Sequence, residues 1–373
     1  MTQPIIARMT WTVFRIPLRR AMVFALGTIT DAEHVLLELE DSDGVRGYAE
    51  AIPRPAIHGE LTSTILAVLA DFESSIVGQP VADRVRVLTE LDTLVGNATA
   101  KAAVDMAWMD VQCRRVQVSC HEILGNYATS VDVTVGIGLM EPAEAAKVAA
   151  GYQDMHGIRS FVVKVDGDVD SDLRRLRELK QAVSAGTFVY VDANRVYRLS
   201  EVQRFARGAA ELGISWIEEP TLPGVAGRSP GPLRDLVVIG DESCIEFTQL
   251  SDRVRAGAVQ CLALKLGRSG YIRAEAMRGF CEVSGVDIMM STPGETSIGT
   301  LHSLAFGAAR RSTSRLPGVY GYFLGLADDL LTEPLQVRDG RLPVRPGPGS
   351  GIEIDADKLA HYSAAPSRSS DRT

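Results

Sequence analysis

The chain has 373 residues, 46% of them hydrophobic and 23% charged, with a formal net charge of -8. That is the composition of a soluble globular protein large enough for one large domain and a smaller one. The acidic balance, with no Lys/Arg stripe, excludes a nucleic-acid surface, and no apolar run is long enough to span a membrane.

The start, Met1 to Met9, lacks a signal-peptide apolar region, so a cytoplasmic protein is expected. Cys113, Cys120, Cys244, Cys261 and Cys281 contain no C-x-x-C pair and read as reduced, mostly buried thiols.

Residues 5–51 read as a strand meander. Alternating runs at Thr10–Ile16, His34–Glu40 and Gly47–Ala51 are punctuated by the hairpin signal Asp43-Gly44. From Thr62 to about Leu124 apolar residues recur at three- and four-residue spacing, which predicts helices. The first third is therefore an α+β unit.

From Val131 the pattern becomes strand, helix, strand, helix. Strands are predicted at 131–137, 160–165, 188–192, 215–218, 237–241, 258–265 and 286–290, with helices such as 141–155, 171–185 and 200–212 between them. Seven units in succession favour a closed parallel barrel. Gln336–Arg345 reads as a final hairpin, and Ala364–Thr373, small and polar, as a disordered tail. The expected division is an α+β domain over 1–125, a barrel over 126–325, and a C-terminal segment over 326–373.

The chemistry lies where the predicted strands end. Lys164, Asp192, Glu218, Asp241 and Lys265 each close an apolar run, at gaps of 28, 26, 23 and 24 residues. Each gap fits one strand, one helix and two loops, so a closed barrel would aim all five at one mouth. Any one acid alone is an ordinary helix cap. Asp192, Glu218 and Asp241 together supply hard oxygen donors for Mg²⁺ or Mn²⁺, with Asn194 and Glu242 behind them. Lys164 and Lys265 would face a bound carboxylate from opposite sides and exchange a proton with its α-carbon, provided their environment brings the amine into a useful range. Glu295, before a predicted helix, and Arg54 and His58, on a loop of the first domain, are candidate substrate contacts.

These residues carry a resemblance. Lys164, Asp192-x-Asn194, Trp216–Pro220, Asp241–Ser243, Lys265 and Glu295–Gly299 resemble the muconate-lactonizing-enzyme subgroup of the enolase superfamily. The resemblance spans nearly the whole chain. It implies a modified (β/α)7β TIM-type barrel with an N-terminal α+β capping domain, an α/β fold overall. It further implies that Asp192, Glu218 and Asp241 bind Mg²⁺ or Mn²⁺, that Lys164 and Lys265 are the acid/base pair, and that the cap loops 17–30 and 50–60 choose the substrate.

The detail looks most like actinobacterial muconate cycloisomerases acting on a small carboxylate, with a homo-oligomer expected. The alternatives are a racemase or epimerase of an amino-acid derivative, and a degenerate carboxylate-binding barrel. One departure stands out. The family usually has Lys-x-Lys on the second barrel strand, but here the run is Val162-Val163-Lys164, which moves the role of base towards Lys265.

Overall fold

The computed structural model describes residues 3–222 and 236–363; the expected tail, 364–373, lies outside the described residues. An antiparallel meander opens the chain, with β1 (Ile6–Phe24), β2 (Gly27–Asp41) and β3 (Arg46–Ala51) in that order. The turn between β2 and β3 is built by Asp41, whose Oδ1 accepts the Asp43 and Val45 amides at 2.9 Å each, while Gly44 takes φ +82°.

The structure corrects the reading of residues 17–30 as a loop. β1 and β2 continue through them as a hairpin arm, bent by a register shift between Pro17 and Met22. Leu18, Met22, Phe24 and Ile29 face a cavity, but the run Ala21–Leu26 is apolar at both parities, with Val23 and Leu26 exposed, so no alternation marks the strand.

Helices α1 (Pro55–His58), α2 (Thr62–Ile76), α3 (Arg84–Leu91), α4 (Ala98–Arg115) and α5 (Cys120–Leu124) complete the first unit. α4 is buried at every position from Ala98 to Val111. Gly47 of β3 lies so close that a Cβ there would sit 2.3 Å from the Ala107 carbonyl, so sheet and helix meet at backbone distance.

The second unit runs β4 (Ser130–Asp132), β5 (Val135–Ile137), α6 (Pro142–His156), β6 (Ser160–Lys164), α7 (Val169–Ala182), β7 (Phe188–Asp192), α8 (Leu199–Glu211) and β8 (Trp216–Glu218). It continues with β9 (Val237–Gly240), α9 (Phe247–Arg255), β10 (Cys261–Leu264), α10 (Leu266–Ser284), β11 (Asp287–Met290), α11 (Ser297–Gly307) and α12 (Arg311–Ser314). β5 to β11 form one parallel sheet in sequence order. Its two edges are joined by Gly318–Val319. The Val319 amide donates to Met290 O at 2.9 Å, and Gly318 O accepts the Thr134 amide at 2.7 Å. The sheet thus curls into a barrel of seven strands whose eighth place is held by a short extended segment.

The expected strand over 131–137 is two. β4 leaves the barrel and pairs antiparallel with β12 (Arg341–Pro343), and only β5 joins the parallel sheet. The expected hairpin over 336–345 shrinks to a turn at Asp339-Gly340, both with positive φ, because β12 is taken by β4. α13 (Ala356–Tyr362) ends the described chain, and Ser363 bridges back to Phe14 of β1. All five cysteines are free and buried, and no helix among the described residues is long and apolar enough to cross a membrane.

Two buried carboxylates fasten the first unit to the barrel. Glu50, on β3, accepts the Thr296 amide (2.8 Å), the Gly299 amide (2.9 Å), the Thr296 hydroxyl (2.9 Å) and His34 Nδ1 (2.8 Å), so it caps α11 from another part of the chain. Asp105, on α4, accepts the Ile272 amide at 2.9 Å, where α10 kinks at Gly270 (φ +63°). Glu50→Ala strands four buried donors together. It is expected to lower unfolding free energy by about 3 kcal/mol or more; a loss below about 1 kcal/mol in urea titration would show that α11 is held by other contacts.

Candidate active site

The parallel register sets the site. Lys164 and Asp192 are Cα partners across β6 and β7, and Asp192 and Glu218 are partners across β7 and β8. Asp241 follows β9 and Lys265 follows β10. The five side chains line one cavity of about 810 Å³, together with Asn194 and Arg54. Beneath them Val162, Tyr190, Ile239, Cys261, Ala263, Met289 and Val319 form an apolar layer, which closes the barrel below the charges.

The lysines are placed differently. The Lys164 ammonium donates to Asp192 Oδ2 and to Asn194 Oδ1 at 3.1 Å, 5.8 Å from the centre of the Phe24 ring. Burial works against its charge, but Asp192, with Glu218 behind it, outweighs burial and holds the amine above the ordinary lysine range. Lys265 donates to Asp241 Oδ2 and shares that carboxylate with Arg268, whose Nη1 lies 2.8 Å from Oδ1. That second pair is close in distance but unaligned, so neither Oδ1 nor Nη1 has a hydrogen bond.

Charge is unevenly spread over the acids. Burial raises the Glu218 carboxyl well above the usual range, and the facing Asp192 and Asp241 raise it further. For Asp241, burial pushes up, but Lys265 and Arg268 prevail and hold it well below that range. Glu242 is pushed up to about 7 by burial and then by Asp241 and Asp192. It accepts from Asn194 Nδ2 at 3.2 Å, and the Asn194 amide donates to Asp192 Oδ1 at 2.9 Å. Asn194 thus links Glu242 to Asp192.

Among the described residues no three Asp, Glu, His or Cys side chains are gathered into a finished metal cluster. The two ammonium groups hold Asp192 and Asp241 instead. The residues nevertheless fit a divalent cation. Three hard oxygen donors face one another across the cavity, Glu218 resists ionisation beside its two neighbours, and Asp241 Oδ1 is buried without a hydrogen bond.

Of the expected substrate contacts, Arg54 lines the cavity, whereas Glu295 and His58 do not. The His58 side chain is buried with neither ring nitrogen hydrogen-bonded and is brought down to about 3 by burial, then by Arg268 and Lys265. Glu295 accepts from Ser303 on α11 at 2.9 Å, and its other oxygen has no partner.

Burial, then Glu50, pushes Glu295 up to about 8 from an ordinary 4.5. A carboxyl raised in the folded state favours folding fully below about pH 4.5, and that contribution is lost as pH rises through about 8. Glu295→Gln, which cannot ionise, is therefore expected to flatten the fall of Tm between pH 5 and 9. The group accounts for at most about 1.4 kcal/mol per pH unit. Parallel pH profiles for the two proteins would mean that Glu295 is already ionised at neutral pH.

Two residues of the site had no role assigned from sequence. Glu219, at φ +38°, accepts the Asp241 amide (2.6 Å), the Ser243 amide (2.8 Å) and the Ser243 hydroxyl (2.6 Å), and so holds the loop carrying Asp241. Arg268 stands three residues after Lys265, one helical turn on, the spacing that could have found it.

A capped barrel with acids and amines at successive strand ends defines an enolase-type architecture. Residues 8–125 match the family model for the mandelate racemase/muconate lactonizing enzyme N-terminal domain, and 144–358 match the enolase C-terminal domain-like model. The muconate lactonizing enzyme of Mycobacterium smegmatis, solved with muconolactone, superposes with a TM-score of 0.92 at 34% identity, covering 96% of this chain and 100% of that one. Muconate cycloisomerase 1 of Rhodococcus opacus is 29% identical, covering 96% of this chain and 98% of its own. A hydrophobic dipeptide epimerase of Enterococcus faecalis is 26% identical, covering 81% and 86%. The chain belongs to the mandelate racemase/muconate lactonizing enzyme group of the enolase superfamily, an enzyme family.

Proposed function

We propose that this enzyme moves a proton at the carbon next to a substrate carboxylate, in the manner of a muconate cycloisomerase. The asymmetry of the two lysines carries the reading. Lys265 has a second cation, Arg268, on the same carboxylate, whereas the inward neighbour of Lys164 on its strand is Val162. Lactonization needs one proton delivered at one face; epimerization needs a matched base on each face. The site has one well-supported amine, not two.

Superfamily members use Mg²⁺. Here Asp192, Glu218 and Asp241 would hold Mg²⁺ or Mn²⁺, and the bound cation would supply positive charge opposite the substrate carboxylate. The protein's own part is to orient and to protonate. One carboxylate oxygen of cis,cis-muconate forms a C–O bond across a double bond, the displaced electron pair shifts to an enolate, and the Lys265 ammonium gives its proton to the α-carbon. Lys164 orients Asp192 and Asn194, and the apolar layer keeps water from below.

A second reading, epimerization of a dipeptide or N-acyl amino acid, is favoured by one observation. The cavity extends over α6 to Tyr152 and Met155, more room than a six-carbon diacid needs. The readings separate in solution. Loss of muconate ultraviolet absorbance with Mg²⁺ or Mn²⁺ supports the cycloisomerase. Its absence at high enzyme concentration, with α-proton exchange of dipeptides in deuterium oxide, transfers the assignment to the epimerase.

A further inference from the structure

Of the cavity's cations without a role in the proton transfer, Arg19, Arg20 and Lys147 are exposed, whereas Arg54 is buried. Arg54 is 9% exposed and lines the cavity opened by the barrel mouth. Its guanidinium donates to Pro53 O at 2.8 Å and reaches Gly294 O at 3.4 Å, and no carboxylate among the described residues forms an ion pair with it. Burial draws the group below the ordinary arginine range, and nearby Tyr322 and Glu50 oppose this. The Tyr322 hydroxyl is also buried, lacks an aligned hydrogen bond, and belongs to the same wall.

The position is shaped for this arginine. Gly294 adopts φ +100°, and a Cβ there would fall 2.1 Å from Arg54 Nη2 and 3.4 Å from Tyr322 Cζ. Only glycine at 294 leaves room for the guanidinium. A buried cation without a counter-ion is costly, and one kept beside a cavity indicates an anion arriving with the ligand.

We propose that Arg54 and the Tyr322 hydroxyl bind a second anionic group of the substrate, so that the enzyme selects dicarboxylates. One carboxylate faces the acids and lysines at the strand ends, and the other is taken by the guanidinium fork, with Phe24, Ile29 and Ile57 offering apolar walls for the spacer. This deepens the enolate-forming reading of the site and rests on it. A neutral or cationic group at that end of the substrate would leave Arg54 unpaired or repelled.

The test uses unreactive probes on the full chain with Mg²⁺: adipate, a linear six-carbon diacid, against hexanoate, its monoacid counterpart. By calorimetry adipate is expected to bind at least about thirtyfold more tightly, and Arg54→Gln to shrink that preference to within about threefold. Equal binding of the two acids, no binding of adipate, or a preference that survives Arg54→Gln overturns the proposal. Should Arg54→Gln fail to fold, Tyr322→Phe replaces it, with adipate expected about fivefold weaker and hexanoate unchanged; an unchanged adipate affinity then counts against the site. A chain that prefers adipate but leaves muconate untouched loses the cycloisomerase reading and keeps this one. A chain that lactonizes muconate without preferring adipate loses this one alone.

Discussion

Lys265→Ala is expected to reduce turnover of cis,cis-muconate, or of whichever carboxylate the screen returns, by at least about 10³-fold. The amine is buried, it is fixed on Asp241 beside Arg268, and among the described lysines that line the cavity it alone is bonded to Asp241. The fold should survive, because Arg268 remains to balance Asp241. Lys164→Ala is expected to cost far less on a lactonizing substrate. Single-turnover measurements on the two variants decide between the readings, since equal and complete losses would restore a symmetric pair and favour the epimerase.

Asp241→Asn should have the second large effect, and it shows without catalysis. Removing this charge leaves Lys265 and Arg268 buried without their shared counter-ion. That is expected to lower stability by about 3–5 kcal/mol, the usual penalty for breaking one side of a buried pair. It also takes away a carboxylate donor, so Mn²⁺ affinity should fall at least about 100-fold. Denaturant titration reads the first effect and Mn²⁺ paramagnetic resonance the second. Unchanged Mn²⁺ binding in a folded variant would remove Asp241 from the donor set.

The five residues at the barrel mouth were legible because a parallel barrel converts chain spacing into convergence: each acid or amine ends an apolar run, and all such ends lie on one face. What the spacing could not carry was the direction of side chains outside the strands. Glu295 follows β11 in the same rhythm, yet its carboxylate is bonded to Ser303 on α11, and the residue is not among those that line the cavity. Arg54 and His58 sit four residues apart on one short segment, and only a three-dimensional wall distinguishes them. The arm over 17–30 escaped for a related reason. On β1 its cavity-facing Leu18, Met22 and Phe24 share one parity, but Val23 and Leu26 add exposed apolar residues between and beyond them, and these hide the period-2 pattern.

The carboxylate of Glu50 has a consequence for anyone recombining these proteins. A natural way to change substrate is to graft the cap of one relative onto the barrel of another, since the cap contributes Phe24, Ile29 and Arg54 to the cavity wall. Glu50 travels with the cap, but the amides it terminates, at Thr296 and Gly299, stay with the barrel. A chimera assembled at the linker near residue 125 inherits that joint only if both parents spell it the same way. Matching this buried contact, and that of Asp105 with the Ile272 amide, is thus a criterion for choosing parents that overall identity does not supply.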